Sequence, residues 1–126
     1  MSPAQTSQQK RAQLAYGCVR EIDAMPAVKE DYANLAKKFP ALVQACGLAQ
    51  TIAFVDAKKK KTNYLKHLAK VMSRNENEDL GKASREADLM EYQRLSFEAI
   101  EAATWLKRYS EALLEKDEME MQTKKD

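Results

Sequence analysis

The most apolar part of the chain, residues 38–54, reads KFPALVQACGLAQTIAF. Proline is well accepted in the first turn of a helix, where its missing N–H has no helical partner, so Pro40 predicts a helix start. The apolar spacing that follows predicts a helix from Ala41 to about Lys58. Because this helix is apolar nearly all round, we expect it to lie buried in the middle of a bundle. Gly47 costs a helix about 1 kcal/mol relative to alanine, and we expect the compensation to be a close approach by another helix.

Helical spacing of apolar residues continues on both sides of this stretch. The predicted helices are, in chain order, Gln8–Ala24, Ala27–Lys38, Ala41–Lys58, Thr62–Arg74, a short one at Leu80–Ala87 and a long one at Asp88–Lys116. The last carries a heptad seam, formed by Tyr92, Leu95, Ala99, Ala102, Leu106, Tyr109 and Leu113. The fold class is therefore all-α: a single compact bundle of five or six helices with a buried central helix and a long C-terminal helix. We expect one domain over residues 1–126, with disordered tails at 1–7 and 117–126.

Composition excludes several classes of protein. The chain has 126 residues, 32% of them charged, and only three glycines, which argues against β-rich folds and glycine-rich phosphate loops. No apolar run approaches the roughly 18 residues of a membrane span and the N-terminus is no signal peptide, so we expect a cytoplasmic protein. Cys18, Cys46 and the only histidine, His67, lack metal-site spacing, and both thiols are expected to be buried and inert. The sequence predicts no enzyme, no metal or other cofactor and no small-molecule substrate.

The small net charge of +2 conceals two opposed halves. Residues 1–75 hold 13 Lys and Arg against 5 Asp and Glu, whereas residues 76–126 hold 8 against 14, so their charges of +8 and −6 sum to +2. One face of such a chain suits a polyanion and the other a basic neighbour, such as another copy of the chain. The alternative is that these charges only solvate exposed helix faces.

The strongest local signal is a cluster of cations that follows the apolar stretch. Its members are Lys58, Lys59, Lys60, Lys61, Lys66, Lys70 and Arg74. The last three are spaced by four residues and would line one face of the fourth helix, opposite its apolar side. Such a row can bind a nucleic-acid backbone without sequence preference, because a phosphate needs only a nearby cation. A lysine face that is merely solvated is the alternative.

The outer face of the last helix is a candidate partner interface. Met90, Arg94 and Phe97 lie roughly opposite the heptad seam, and apolar and aromatic side chains with an arginine are typical of protein interfaces. The alternative is that another helix of the same chain covers them. Lys107 and Arg108 also point away from the seam.

Two segments carry a resemblance to a known family. Residues 38–54 with Lys58 behind them, together with the run Trp105-Leu-Lys-Arg-Tyr-Ser-Glu-Ala112, closely resemble the small helical subunit of the type III-B CRISPR effector, the Cmr complex. The resemblance extends from about Arg11 to Leu114. The small subunit of type III-A effectors is also a helical bundle with a basic face, but these two segments favour the III-B family.

The resemblance implies a subunit without catalysis of its own, acting in antiviral defence. Such subunits stack, copy upon copy, into a filament beside the backbone subunits that hold the guide RNA, and they contact target RNA. The implied partners are the backbone and large subunits of the effector, copies of itself, and guide and target RNA. The family points to Lys58, Lys107 and Arg108 as RNA contacts, whereas the other cations come from the charge pattern alone. A second hypothesis is a structural adaptor that binds only proteins, through Phe97 and the acidic half.

Overall fold

The computed structural model describes residues 5–58 and 62–114. Within these ranges the chain forms six α-helices and no strand, which confirms the all-α bundle with a long C-terminal helix. The helices are α1 Ser7–Asp23, α2 Pro26–Cys46, α3 Leu48–Ala57, α4 Tyr64–Val71, α5 Leu80–Glu86 and α6 Leu89–Leu113. The centre of the bundle is α6, which packs against α1, α2 and α4.

The start of α1 is better ordered than the sequence predicts. Thr6 accepts a hydrogen bond from the backbone N–H of Gln9 at 3.0 Å, and its own N–H donates to the Gln9 side chain at 2.9 Å. This capping box satisfies two N–H groups that would otherwise lack partners. Thr6 and Ser7 therefore belong to the start of α1, and not to the predicted tail. The other predicted tail, residues 117–126, lies outside the described residues.

The predicted helix break before Phe39 is wrong, because α2 continues through Pro40. A proline inside a helix costs about 3 kcal/mol or more, since it removes a hydrogen bond and crowds the preceding turn. Here an unbroken helix aligns a buried stripe at i, i+4, i+7 and i+11, formed by Tyr32, Ala36, Phe39 and Val43. The burial of two aromatic rings and a valine along one face outweighs the cost of the proline.

The break falls instead at Gly47, so the predicted helix Ala41–Lys58 is the end of α2 followed by α3. Gly47 has φ 86° and ψ 159°, a conformation that is essentially restricted to glycine. The predicted close approach is present, because a Cβ there would lie 3.2 Å from the hydroxyl of Tyr92 on α6. The predicted central burial of this segment is wrong: Cys46 is exposed and the Phe54 side chain is 45% exposed.

The heptad seam of α6 forms the middle of the core. Leu95, Ala99, Ala102 and Leu106 are at most 1% exposed, as predicted. The three outer members of the seam are half-buried against the same core: Tyr92, Tyr109 and Leu113. The alanines allow α1 and α2 to lie close to α6.

Candidate nucleic-acid and subunit interface

Lys58 lies at the C-terminal end of α3, beside an open cleft between α2 and α3. Its ammonium is 4.5 Å from the centre of the Phe54 ring, within range of a cation–π interaction. The α2–α3 cleft is lined by Asp31, Asn34, Leu35, Lys38, Leu42, Phe54, Val55, Lys58 and Thr62. The predicted contacts Lys59, Lys60 and Lys61 lie outside the described residues.

Lys66 and Lys70 are exposed one turn apart on α4, as predicted. The opposite side of the helix is buried, including Leu68 and Ala69. Leu65 is half-buried. This short helix therefore presents two cations to solvent and its apolar side to the core.

A buried polar network joins α4 to α1 and α2, and sequence reasoning missed it. His67 is 5% exposed, with Nδ1 2.8 Å from the Tyr32 hydroxyl and Nε2 3.2 Å from a carboxylate oxygen of Glu21. A carboxylate only accepts, so the imidazole donates from Nε2 and accepts from Tyr32 at Nδ1. Burial lowers the pKa of His67, against the opposing effect of Glu21. The network connects α4 to α1 and α2.

Arg74 does not continue the row of Lys66 and Lys70, contrary to the prediction. The helix ends at Val71, and Ser73 has a left-handed backbone with φ 64°, which turns the chain away. The Arg74 guanidinium instead donates to both carboxylate oxygens of Glu78, at 2.6 and 2.7 Å. This hydrogen-bonded pair lowers the pKa of Glu78 and raises that of Arg74. Arg74 is therefore a partnered cation.

Arg74 belongs to a second group of cations, which gathers residues far apart in sequence. A polar cleft brings it together with cations of α1 and α6; its lining is Ser7, Lys10, Arg11, Met72, Ser73, Arg74, Arg94 and Glu98. Lys10 and Arg11 were not predicted, because no local pattern links them to residues more than sixty positions away. Arg94, predicted as an interface residue, also forms an ion pair with Glu98 at 3.2 Å.

The predicted pair Lys107 and Arg108 lies beside an aromatic cluster on the C-terminal half of α6. Arg108 is exposed and its guanidinium lies 5.5 Å from the centre of the Trp105 ring, whereas Lys107 is half-buried. Trp105 stacks on Tyr109 with ring centres 6.0 Å apart, and Tyr109 meets the edge of Tyr16 at 5.5 Å. The ring stack holds the Arg108 guanidinium in place against the helix.

The predicted apolar face of α6 is open. Met90 is 81% exposed and Phe97 is 62% exposed, so no other described helix covers them. They lie two turns apart on one side of α6, with Arg94 between them. An exposed aromatic side chain with a neighbouring arginine is the composition of an interface centre.

The predicted nucleic-acid residues thus occupy several different settings. Lys58 lines the α2–α3 cleft, Lys66 and Lys70 lie on α4, and Arg74 is in the polar cleft beside α1. Across residues 5–58 and 62–114, His, Cys, Asp and Glu form no group of three or more that could hold a metal ion. No helix of this described part is long and apolar enough to cross a membrane.

Comparisons with known proteins agree with this arrangement of helices. Residues 7–113 match the family described as CRISPR-associated protein (Cas_Cmr5). A relative from Thermus thermophilus, the CRISPR system Cmr subunit Cmr5, is 40% identical over 112 residues, which span 87% of this chain and 97% of the relative. The X-ray crystal structure of a CRISPR-associated Cmr5 family protein from Thermus thermophilus has a TM-score of 0.80 at 39% identity, covering 88% of this chain and 99% of that one. These matches bear out the resemblance, and the chain belongs to the Cas_Cmr5 family of CRISPR-associated proteins.

Proposed function

We propose that the chain is a non-catalytic small subunit of a type III-B CRISPR effector, the Cmr complex, and acts in the cytoplasm in antiviral defence. It stacks with copies of itself beside the backbone subunits, meets the large subunit, and contacts target RNA paired with the guide. The observation that carries the proposal is the match to the family over residues 7–113, with a relative that is a Cmr subunit.

The RNA contact is supported by cations that the fold leaves unpaired. Lys58, Lys66 and Lys70 form no salt bridge with any residue in the described part of the chain. An ammonium group on a flexible stem neutralises a phosphate without fixed geometry, which suits binding without sequence preference. Lys59–Lys61, Lys107 and Arg108 complete the proposed RNA-binding set, and Arg74 contributes only if its pair with Glu78 opens.

The protein contact is supported by the open face of α6. Met90 and Phe97 expose apolar surface, and its burial by another subunit would stabilise the complex. Arg94 lies between them. The same exposure favours a second candidate function, a structural adaptor that contacts only protein subunits. The two candidates differ in what the lysines do.

The experiment compares two charge-matched double variants in the reconstituted complex. One is Lys66→Ala with Lys70→Ala on α4; the control is Lys82→Ala with Arg85→Ala, two exposed cations on α5. Target-RNA affinity is measured across a series of salt concentrations. If both α4 lysines neutralise phosphates, the slope of log affinity against log salt falls by roughly 1.4 to 1.8, and the control slope is unchanged.

Equal slopes for wild type and the α4 variant would refute RNA contact through α4. If assembly nevertheless failed in Phe97→Asp, the adaptor function would replace the RNA-binding one. If the subunit did not co-purify with the backbone and large subunits at all, the assignment to the effector would itself be wrong.

A further inference from the structure

The α2–α3 cleft combines an aromatic side chain, apolar walls and cations. Its apolar lining is formed by Leu35, Leu42, Phe54 and Val55, and its volume is about 250 Å³. That volume suits one flat ring system and is too small for a helix. The cleft lies between α2 and α3, the two helices that the break at Gly47 separates.

The Phe54 side chain lines this cleft and is partly exposed to solvent. Its ring is 45% exposed, although burying a phenylalanine is worth about 1.5–3 kcal/mol. The Lys58 ammonium, 4.5 Å from the ring centre, restrains the ring through a cation–π contact. An exposed aromatic ring with a cation beside it is the usual platform on which single-stranded nucleic acids stack their bases.

The charges around the cleft determine which part of a nucleotide fits inside it. Lys38 and Lys58 carry the positive charge that a phosphate needs. The walls between these cations include Leu35, Leu42 and Val55, and an apolar wall suits a neutral base and not a charged phosphate. The exposed side chain of Asn34 offers hydrogen-bonding groups to a base edge. The base therefore fits within the cleft and its phosphates fit at the lysines.

We infer that the α2–α3 cleft binds one unpaired nucleobase of single-stranded RNA, stacked on Phe54, with the adjoining phosphates at Lys38 and Lys58. This inference rests on the proposed RNA contact and specifies its mode at a nucleotide of the target that is not paired with the guide. It differs from a purely electrostatic contact because binding depends on the presence of a base and not only on the number of phosphates. An apolar side chain of a partner protein is the competing occupant.

The test uses the full chain and two short single-stranded RNAs of equal length. One contains 2-aminopurine at a central position and the other has an abasic site there, so the phosphates are the same. Stacking on an aromatic side chain contributes enough for Phe54→Ala to weaken binding of the first RNA by about 5-fold or more. Binding of the abasic RNA stays unchanged, Phe54→Tyr restores affinity, and 2-aminopurine fluorescence is quenched only when the ring is present.

Met25→Ala is the control, because Met25 is also a large apolar side chain open to solvent, 36% exposed, and lies between α1 and α2 outside the cleft. If wild type binds both RNAs and Phe54→Ala changes neither affinity, the stacking inference is refuted and the RNA contact stands. If Phe54→Ala instead reduces co-purification with other subunits at unchanged RNA affinity, the occupant is a protein side chain. Absence of RNA binding by wild type, both alone and in the assembled complex, would overturn the proposed function together with this inference.

Discussion

Replacing Gly47 with alanine tests the reason for the break between α2 and α3. Gly47 has φ 86° and ψ 159°, which an L-residue adopts at a cost of roughly 1–3 kcal/mol. The new Cβ would also lie 3.2 Å from the Tyr92 hydroxyl, which accepts a hydrogen bond from the backbone N–H of Ala49 at 3.2 Å. Loss of that hydrogen bond adds about 1 kcal/mol.

The two contributions together destabilise Gly47→Ala by roughly 2–4 kcal/mol. For a chain of 126 residues this corresponds to a fall in Tm of roughly 7–15 °C. Urea unfolding followed by far-UV circular dichroism measures the free energy, and a thermal melt measures the Tm. Tyr92→Phe, alone and combined with Gly47→Ala, separates the backbone strain from the contact with the hydroxyl.

Gly17→Ala provides the matched control. Gly17 lies inside α1, is exposed, and has nothing within 4 Å of the position of a Cβ. Alanine there favours the helix and restricts the unfolded chain, so we expect an increase in stability of about 0.5–1 kcal/mol. If Gly47→Ala cost less than about 0.5 kcal/mol, the break would not depend on a glycine-specific backbone and the reasoning would be refuted.

Three further substitutions test the core and the open face. Tyr64→Phe removes a buried hydroxyl without a partner in the described structure, so urea unfolding should show unchanged or slightly higher stability; a loss above about 1.5 kcal/mol would contradict this. The pKa of His67 is lowered below 6.5 in the folded state, so the unfolded state takes up its proton first and stability falls as pH drops below about 6.5. The urea midpoint should fall less between pH 7.5 and pH 5 in His67→Gln than in the wild type. Parallel plots of midpoint against pH for the two proteins would refute the role of His67. Phe97→Asp should reduce co-purification with the other effector subunits without lowering the Tm, since the side chain is 62% exposed.

The C-terminal helix could be predicted from the sequence because its signal is local and repeated. Leu95, Ala99, Ala102 and Leu106 recur at heptad spacing, and the core they form is the one observed. The start at Asp88 also follows a local rule, since its side chain accepts from the N–H of Glu91 at 2.8 Å. A long periodic helix therefore needs little information from the rest of the fold.

The break between α2 and α3 could not be placed correctly from local rules. Proline is the stronger helix breaker when only the local sequence is considered, so the helix boundary was predicted at Pro40 and not at Gly47. In the folded chain, burial of Tyr32 and Phe39 on one side of α2 favours an unbroken helix across Pro40. Tyr92 then anchors the turn at Gly47 from α6, a residue more than forty positions away. Tertiary packing decides between the two candidate breakers.

The sequence predicted which side chains of the candidate site are exposed, but it did not predict the ion pair of Arg74. Lys66, Lys70 and Phe97 are exposed, as their position opposite apolar stripes requires. Arg74 pairs with Glu78 in the connector between α4 and α5, whereas the sequence analysis placed Arg74 on the same helix as Lys66 and Lys70. Pairings of this kind decide which cations have a carboxylate partner and which do not.

The basic and the acidic halves of the sequence share one cleft of the folded chain. Because α6 packs along α1, Arg94 of the acidic half shares a cleft with Lys10 and Arg11 of the basic half. Arg94 is paired with Glu98 and lies on the same face of α6 as Phe97. We therefore expect a subunit that covers Phe97 to lie beside these cations as well. Under the proposed function, RNA contact then falls to Lys58 at the end of α3 and to Lys66 and Lys70 on α4, which have no carboxylate partner among the described residues, together with Lys107 and Arg108 on α6.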